Sequence, residues 1–490
     1  MLFTTPEYLI FFAIVLIATE LLRRKLWQHA VLLAASYYFY WCSGSIHILL
    51  LLFVTLASFF CGAKIFAADT KRRKKFWLAL GTLIPLAILG WFKYIDFGIA
   101  SINSLLGAAG ISVSIPLLQI LLPVGISFFT FQALSYIFDI YLGKLEPEPY
   151  LHKYALFIAF FPALVAGPIV RASEFLPQLR EKIHITGADL KVGVTLIIWG
   201  LFKKMVIADN LGSRVDFVFS SPETATSVWI ILGTILFGIQ IYCDFSGYAH
   251  IAIGCARCLG FRIPENFNLP YLAANIQIFW RKWHMTLSRF IRDYVYIPLG
   301  GNRKGHVRTY ANLLASMIIC GLWHGAAWTF VLWGGYHGVL LLLHRYCIGE
   351  KKIGTKSRFL ASNPGLFCKI LITQALVFFG WMIFRANSFD DLLICIQKIL
   401  FFDFQFSAFT KLAVLGGIGL IALAFLVMCN KRLAAFAKHA AVYDYLAFYS
   451  RLRPFYWTLY IALLGFAILL LSPPETPEFI YFALDRKSVV

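Results

Sequence analysis

A single histidine stands inside an apolar run of the sequence. His324 lies in ICGLWHGAAWTF, residues 319–330, and Arg308 is the one charged residue between His306 and His337. In an apolar pocket, desolvation disfavours the charged imidazolium, so the ring stays neutral and can accept a proton from a hydroxyl. A packed, hydrogen-bonded core histidine is the alternative, and the residues alone favour it.

A second group of reactive side chains lies in a basic, tryptophan-rich stretch, residues 279–305. Its first members are Trp280, Arg281, Lys282, Trp283 and His284. Tryptophan beside Lys and Arg suits a membrane interface. It also suits a ligand that carries phosphates and a flat ring, such as a coenzyme A thioester, because Arg binds phosphate with two hydrogen bonds. Composition favours the interface, and both interpretations stay open.

Polar side chains also interrupt the apolar runs. Gln240 and Asp244 are four residues apart, and Gln132 and Asp139 are seven apart, so each pair shares a helical face. Such residues either line a water-filled cavity or join helices by hydrogen bonds. Metal chemistry is not expected, because Cys255 and Cys258 form the only C-x-x-C pair and have no second pair.

The elements that must position these residues are membrane helices. The chain has 490 residues, of which 60% are hydrophobic and only 14% charged, against roughly 25% charged in soluble domains. Repeated apolar runs predict one all-α polytopic domain over residues 1–490, with about 11–13 membrane helices, some of them re-entrant. The runs include 115–141, 152–167 and 411–429, and the polar segment 257–309 has no apolar span.

The net charge of +20 belongs mainly to short basic loops such as Lys71–Lys75. Basic loops face the cytoplasm and anionic lipid, so we expect contact with the lipid bilayer and no nucleic-acid partner. The basic residues after the first run and the loop at Lys71–Lys75 are separated by two runs, which places the N-terminus outside the cytoplasm. The first run, residues 8–22, lacks the features of a cleaved signal peptide and is read as a retained helix.

In combination these segments resemble the membrane-bound O-acyltransferase (MBOAT) family. The resemblance is carried by FFPALVAGPIVRASEFLPQL, YCDFSGYAHIAIG, the stretch from GFRIPENF to LGGNRKG, and GLWHGAAWTFVLWGGYHG. Within the family the segments are similar to the bacterial branch that contains alginate O-acetyltransferase membrane subunits. Ala249-His250 departs from that branch, which usually has a small polar residue and Asp.

The resemblance implies acyl transfer in a central tunnel through the bacterial cytoplasmic (inner) membrane. The family's characteristic histidine falls on His324 and its second histidine on His284. The implied donor is acetyl-CoA, a substrate and not a bound cofactor, and the implied acceptor is an exported polysaccharide such as alginate. An extracytoplasmic acetyltransferase of the SGNH-hydrolase type is the implied partner.

Roles for the remaining residues follow from that implication. Trp280, Arg281, Lys282 and Trp283 would hold the donor near the cytoplasmic mouth, where segment 257–309 would lie. Asp244, Asn312 and Gln240 would line the tunnel. His324 acts either as a base or as the carrier of the acyl group.

The alternatives are D-alanyl transfer to teichoic acid, acetylation of peptidoglycan or cellulose, and a transporter or flippase that performs no chemistry.

Overall fold

A computed structural model of the chain shows helices joined by connections that range from single residues to long stretches such as 109–125. It describes residues 1–401 except 2, 23, 351–356 and 358–361, together with 416, 417, 419, 452–474 and 479–480. The predicted run 411–429 lies outside these residues, apart from 416, 417 and 419.

The first helices are α1 (Pro6–Leu21), α2 (Lys25–Trp41), α3 (Ile48–Phe66), α4 (Lys71–Leu89), α5 (Ile95–Ala108), α6 (Ile126–Tyr141), α7 (Leu151–Ala159), α8 (Phe161–Leu164), α9 (Ala172–Phe175) and α10 (Gly187–Leu201). The later ones are α11 (Asp209–Ser220), α12 (Ser227–Cys258), α13 (Ile276–Lys282), α14 (Met285–Ile291), α15 (Gly305–His324), α16 (Trp328–His344), α17 (Asn363–Arg385), α18 (Phe389–Leu400) and α19 (Pro454–Leu471). π-Helical turns join or extend several of them, at Gly90–Tyr94, Phe202–Ala208, Arg292–Tyr296 and Arg345–Glu350.

Five stretches in the described ranges are long and apolar enough to cross a membrane. They are Ile48–Phe66, Lys71–Ala108, Ser227–Cys258, Asn363–Arg385 and Pro454–Leu471. The predicted all-α membrane class is therefore confirmed. Within the described residues, the other predicted runs correspond to helices that are shorter, interrupted or less apolar.

Two predicted spans differ from the structure. The run 115–141 is helical only from Ile126, because Pro116 and Pro123 interrupt it and Gly125 adopts a left-handed conformation (φ 75°). The run 152–167 is divided into α7 and α8 at Phe160, and Pro162 occupies the first turn of α8. All residues of α8 are buried, so this irregular backbone is enclosed by protein.

The outer surface of the fold is apolar, as a lipid environment requires. None of the residues of α19 is buried, and side chains such as Phe455 and Leu463 are exposed along it. Trp27, Phe53 and Phe76 are likewise exposed on other helices. A soluble protein of this size rarely displays so continuous an apolar surface, so these helices are suited to a lipid environment.

Glycines bring the two central helices into direct backbone contact. A methyl group added at Gly200 of α10 would lie 2.6 Å from the carbonyl oxygen of Gly247 in α12. A methyl group added at Gly254 of α12 would lie 2.6 Å from the carbonyl oxygen of Gly193 in α10. Only glycine allows this separation, which is the way membrane helices gain packing energy when no hydrophobic effect drives them together.

A buried ionic cluster joins the same helices. Lys204, in the π-helical turn Phe202–Ala208, forms ion pairs with Asp209 (2.6 Å) and with Asp244 of α12 (2.9 Å). The backbone N–H of Ile480 donates to the second carboxylate oxygen of Asp244 at 2.8 Å. The neighbouring Phe479 is fully buried and packs on Tyr248, with ring centroids 4.5 Å apart. The C-terminal region therefore completes the centre of the fold.

Helices α15 and α16 form a tight hairpin, also through glycines. A methyl group at Gly321 would overlap the carbonyl oxygen of Phe330, and one at Gly334 would overlap that of Met317. Three residues, 325–327, connect the helices. His324 therefore lies at the closed end of this hairpin.

This contact predicts a sharp positional difference between adjacent glycines. Gly334→Ala should lower the free energy of unfolding by about 1–3 kcal/mol, because the methyl group forces the helices apart. Gly335→Ala is the matched control, since nothing lies within 4 Å of its added methyl group, and it should leave stability nearly unchanged. Denaturant unfolding in detergent measures both; equal losses would contradict the hairpin geometry.

Candidate active site

His324 is the last residue of α15, and aromatic side chains surround its ring. The residue is 2% exposed. Trp333 of α16 stands perpendicular to the imidazole, with ring centroids 5.0 Å apart, and Phe384 of α17 lies at 5.5 Å. Trp323 packs edge-on at 5.0 Å. The ring thus lies in apolar surroundings, while its catalytic role stays a prediction.

His284 lies beside His324, although 40 residues separate them in the sequence. Their ring centroids are 6.2 Å apart. His284 precedes α14 and adopts a left-handed conformation (φ 41°), which is uncommon for a residue with a side chain. It is fully buried, and Phe245 of α12 packs edge-on against it at 4.7 Å. The backbone therefore carries local strain at the point where it holds this ring next to His324.

Asn266 determines the protonation pattern of His284. The Oδ1 atom of Asn266 accepts hydrogen bonds from the backbone N–H of Thr286 (3.2 Å) and from its hydroxyl (2.8 Å). Nδ1 of His284 lies 3.1 Å from the same oxygen, so it is the protonated nitrogen. Nε2 then carries a lone pair, and within the described residues it has no hydrogen-bond partner. His284 therefore has one ring nitrogen anchored and presents a hydrogen-bond acceptor with the other.

A cavity of about 1030 Å³ runs along α15 towards the histidines. Asn302 and His306 line it near the beginning of the helix, and Ser316 and Cys320 line it further along. Cys320 precedes His324 by four residues and therefore shares its helical face. The cavity thus extends from the start of α15 to within one turn of His324.

The cavity wall is divided between basic and apolar side chains. Its apolar part includes Met285, Leu313, Met317 and Leu341, and its basic part comprises Arg281, Arg289, Arg292, Arg345, His306 and His344. A long ligand with a charged end and a slender apolar end fits such a wall.

Two of these arginines are already paired with acids. Arg289 lies 3.2 Å from Glu174, and Arg292 forms two hydrogen bonds with Asp293, which raise the pKa of its guanidinium. Arg281 is exposed and, within the described part of the chain, forms no ion pair. It is therefore the arginine most readily available to a ligand anion.

The four residues predicted to bind the donor separate in the structure. Trp280 and Arg281 line the cavity, whereas Lys282 and Trp283 are not among its lining residues. Trp283 is fully buried and packs against Trp381 of α17, with centroids 4.7 Å apart. The polar segment 257–309 is consequently not a surface loop throughout, since part of it forms the aromatic core beside the histidines.

The residues predicted to line a tunnel make contacts that join elements of the fold. Asp244 is bound by Lys204 and by the Ile480 amide, as described above. Asn312, which is buried, donates to the carbonyl oxygen of Gly301 at 3.1 Å. Gln240 is half-buried on α12 close to Gly212 of α11. None of the three lines the 1030 Å³ cavity, and for Asp244 the contacts are those of helix cross-linking.

Asp139 has a similar structural environment. Its carboxylate accepts hydrogen bonds from Tyr294 (2.8 Å) and Ser173 (3.1 Å). These contacts attach α6 to the π-helical turn Arg292–Tyr296. Within the described ranges, no group of three or more His, Cys, Asp or Glu side chains is placed to hold a metal ion.

Several site residues carry no signal that sequence reasoning detected. Asn266 orients His284, and Lys93 donates to the carbonyl oxygen of Trp323 at 2.7 Å. Trp333 and His337 are four residues apart on α16, so their common face was readable from the sequence. Their position around His324 was not, because it depends on the α15–α16 hairpin.

A second, smaller cavity of about 500 Å³ lies at the opposite end of the hairpin. Residues of the α16 N-terminus, including Ala327 and Trp328, line it together with Asn387 and Phe389 between α17 and α18. The two cavities therefore approach the His324 region from opposite ends of α15, which is about 30 Å long for its 20 residues.

Comparison with known proteins gives consistent matches. The model of the membrane-bound O-acyltransferase family matches residues 146–350, which contain both histidines. "Probable alginate O-acetylase AlgI" of Pseudomonas aeruginosa is 39% identical over 385 residues, covering 77% of this chain and 72% of that protein. "Peptidoglycan O-acetyltransferase" of Helicobacter pylori is 36% identical, covering 69% and 67%. "Teichoic acid D-alanyltransferase" of Bacillus subtilis is 32% identical, covering 54% and 69%.

The position of Asn266 can be tested by mutation. Asn266→Ala removes an acceptor shared by three donors and leaves them buried without partners, so it should destabilise the protein by about 1–3 kcal/mol. Asn268→Ala, at an exposed position two residues away, should change stability by less than about 0.5 kcal/mol. Unfolding of the purified proteins measures the difference, and similar values for both variants would refute the role of Asn266.

Proposed function

The chain belongs to the membrane-bound O-acyltransferase family, and we propose that it is a membrane O-acetyltransferase. It passes acetyl groups from acetyl-CoA on the cytoplasmic side to an exported polysaccharide. The single observation that carries the proposal is the larger cavity. It leads from a basic rim, formed by the arginines and histidines of its wall, to within one turn of His324.

The cavity wall matches the chemistry of a coenzyme A thioester. Arg281 is available for the phosphates, and Trp280 offers an aromatic surface beside it. The pantetheine arm is slender, and the wall formed by Met285, Met317 and Cys320 is suited to it. Trp280 also packs against Trp333, with ring centroids 5.6 Å apart. The cavity wall is therefore continuous with the aromatic side chains that surround His324.

In the proposed reaction, His324 takes the proton of the acceptor hydroxyl. The oxygen then forms a bond to the acetyl carbonyl carbon, and the carbon–sulfur bond breaks in the resulting tetrahedral intermediate. The thiolate leaves and receives the proton from the imidazolium, so a thioester and an alcohol become an ester and a thiol. Nε2 of His284, which is open to a donor, helps to hold the acceptor in place beside His324.

The smaller cavity provides the route for the acceptor. It lies at the end of the hairpin opposite the basic rim, so donor and acceptor reach the histidines from two sides. Holding both reactants at one position is worth several kcal/mol of the barrier. Of the two cavities, only the larger has a strongly basic wall, which supports its assignment to the donor.

The acceptor and the cellular setting are inferred from the relatives. Alginate acetylation is the first choice, since "Probable alginate O-acetylase AlgI" of P. aeruginosa spans most of the chain. The multi-pass fold fits the bacterial cytoplasmic (inner) membrane, with the N-terminus outside the cytoplasm and the mouth of the larger cavity inside. The acetyl group is passed on with an extracytoplasmic SGNH-type acetyltransferase.

Other acceptors and one other class of function are weighed against this choice. Peptidoglycan acetylation is the second candidate, because the H. pylori relative is 36% identical over a similar share of the chain. Cellulose acetylation has no relative among these matches, and the D-alanyltransferase covers less of the chain. A transporter or flippase has no need of a pair of buried histidines at the end of an arginine-lined cavity.

Replacing the central histidine tests the reaction. His324→Ala should lower the rate of acetyl transfer by about 10²- to 10⁴-fold, because it removes the proposed base. His184→Ala, at an exposed histidine, should retain full activity. Release of free thiol from acetyl-CoA and mass spectrometry of the exported polysaccharide measure transfer; substantial activity in His324→Ala would refute the assignment.

The same purified protein shows whether His324 acts as a general base or as the carrier of the acyl group. Rapid quenching with labelled acetyl-CoA in the absence of acceptor should yield no acetylated protein if His324 is a base. A label on a peptide that contains His324 would identify it as the acyl carrier.

A second mutation tests the donor cavity. Arg281→Gln should raise KM for acetyl-CoA by about tenfold or more, since a charge-assisted hydrogen bond is worth about 1.5–3 kcal/mol, while kcat changes little. Arg262→Gln, an exposed arginine that does not line the cavity, is the control. Steady-state kinetics in detergent or nanodiscs decides, and an unchanged KM in Arg281→Gln would exclude this arginine from donor binding.

A further inference from the structure

Two side chains from a distant helix bind the end of α15, the helix that carries His324. Lys93 donates from Nζ to the carbonyl oxygen of Trp323, and Tyr94 donates from its hydroxyl to that of Leu322, each at 2.7 Å. Both residues belong to the π-helical turn Gly90–Tyr94 between α4 and α5. The bonded carbonyls belong to the two residues directly before His324.

These carbonyls require donors from outside the helix. The last four carbonyl oxygens of an α-helix have no intrahelical partner. After His324 the chain turns into an extended conformation at Gly325 (φ −170°, ψ 155°), and no backbone N–H caps the helix. Because this end is buried, water does not replace the missing donors as it does at an exposed helix end. Lys93 and Tyr94 supply them.

The use of a lysine here is costly unless it has a purpose beyond helix packing. Lys93 is only 8% exposed, and burying an ammonium group carries a large desolvation penalty. Its charge lies at the C-terminal end of α15, where the helix dipole favours a cation. π-Helical turns occur often at functional sites, because they redirect side chains that a regular helix would point elsewhere.

We propose that Lys93 and Tyr94 are positioning residues for His324. By fixing the carbonyls of Leu322 and Trp323 they set the direction in which α15 ends, and so the place of the His324 ring between the two cavities. This inference rests on the proposed function. Neither residue lies within the 146–350 range that matches the family model.

Few groups around His324 can fix the position of its ring. Trp323, Trp333 and Phe384 confine the ring by their faces and edges. Titratable groups near the ring in the described part of the chain include Cys320, one turn earlier on α15, His284 at 6.2 Å, and His337, which packs on Trp333 at 5.0 Å. Aromatic packing restricts the ring, and the two hydrogen bonds restrict the backbone that carries it.

The test separates positioning from general stability. Lys93→Met keeps the length of the side chain and removes its charge and donor. It should lower kcat by on the order of 10²-fold, the effect of a misplacement of about 1 Å, with KM for acetyl-CoA within about twofold of wild type. Tyr94→Phe removes one hydrogen bond and should lower kcat by about tenfold. Lys93→Arg, which keeps a charged donor, should recover most of the loss.

The matched control is Lys203→Met. Lys203 is also a buried lysine in a π-helical turn, and it donates to Ser246 of α12 at 3.1 Å. Its replacement should lower the melting temperature while leaving kcat, expressed per folded protein, within about twofold. A structural role for Lys93 would give the same result.

The outcomes are distinguishable from failure of the proposed function. If His324→Ala retains activity, the proposed reaction fails, whatever Lys93 does. If His324→Ala is inactive while Lys93→Met and Tyr94→Phe keep wild-type kcat, positioning by this turn is overturned. Should Lys93→Met not fold, Tyr94→Phe decides alone: a lowered kcat at unchanged KM supports the inference, and an unchanged kcat overturns it.

Discussion

A helix that ends inside a membrane protein must find donors for its last carbonyl oxygens, and the site is built around one such end. Helix α15 stops at His324 without a backbone cap, and donors from Lys93 and Tyr94 bind its last turn. Had the helix continued for another turn, the histidine would lie on its side instead of at its end. The abrupt stop at Gly325, together with the close contact with α16, leaves the buried ring at the closed end of the hairpin, one turn beyond Cys320 in the wall of the larger cavity.

The aromatic side chains around the histidines explain how the fold combines a rigid site with two cavities. Trp280 belongs to the wall of the larger cavity and packs on Trp333, which packs on His324. The rings fill the space between the helices without offering charges, and they separate His284 and His324 from a third buried imidazole, His337, which packs on Trp280 and Trp333. Ion pairs among the described residues include those of Lys204 in the core and those of Arg289 and Arg292 on the cavity wall.

Much of this arrangement was readable from the sequence. The apolar runs gave the helical membrane class, and the quoted motifs identified His324 and His284 as the residues to examine. Hydropathy alone does not predict the breaks at Gly125 and Phe160, although Pro116, Pro123 and Pro162 stand within these apolar runs. Lys93 could not have been found, since its bond to Trp323 joins residues 230 positions apart. Composition and the family resemblance predict Lys282 and Trp283 in the donor site. The structure buries Trp283 in the core instead, because packing decides which way a ring points.

The contact between Ile480 and Asp244 has a consequence for biosynthesis. These residues are 236 positions apart, so at roughly 5–20 residues per second Asp244 is made about 10–50 s before its final partner. During that interval the Asp244 oxygen that accepts from Ile480 in the finished fold lacks this donor. Maturation of the core is therefore a late event that follows insertion of the helices. Any fusion or truncation that keeps Phe479 and Ile480 from docking would leave an inserted but unfinished protein, a substrate for membrane quality-control proteases.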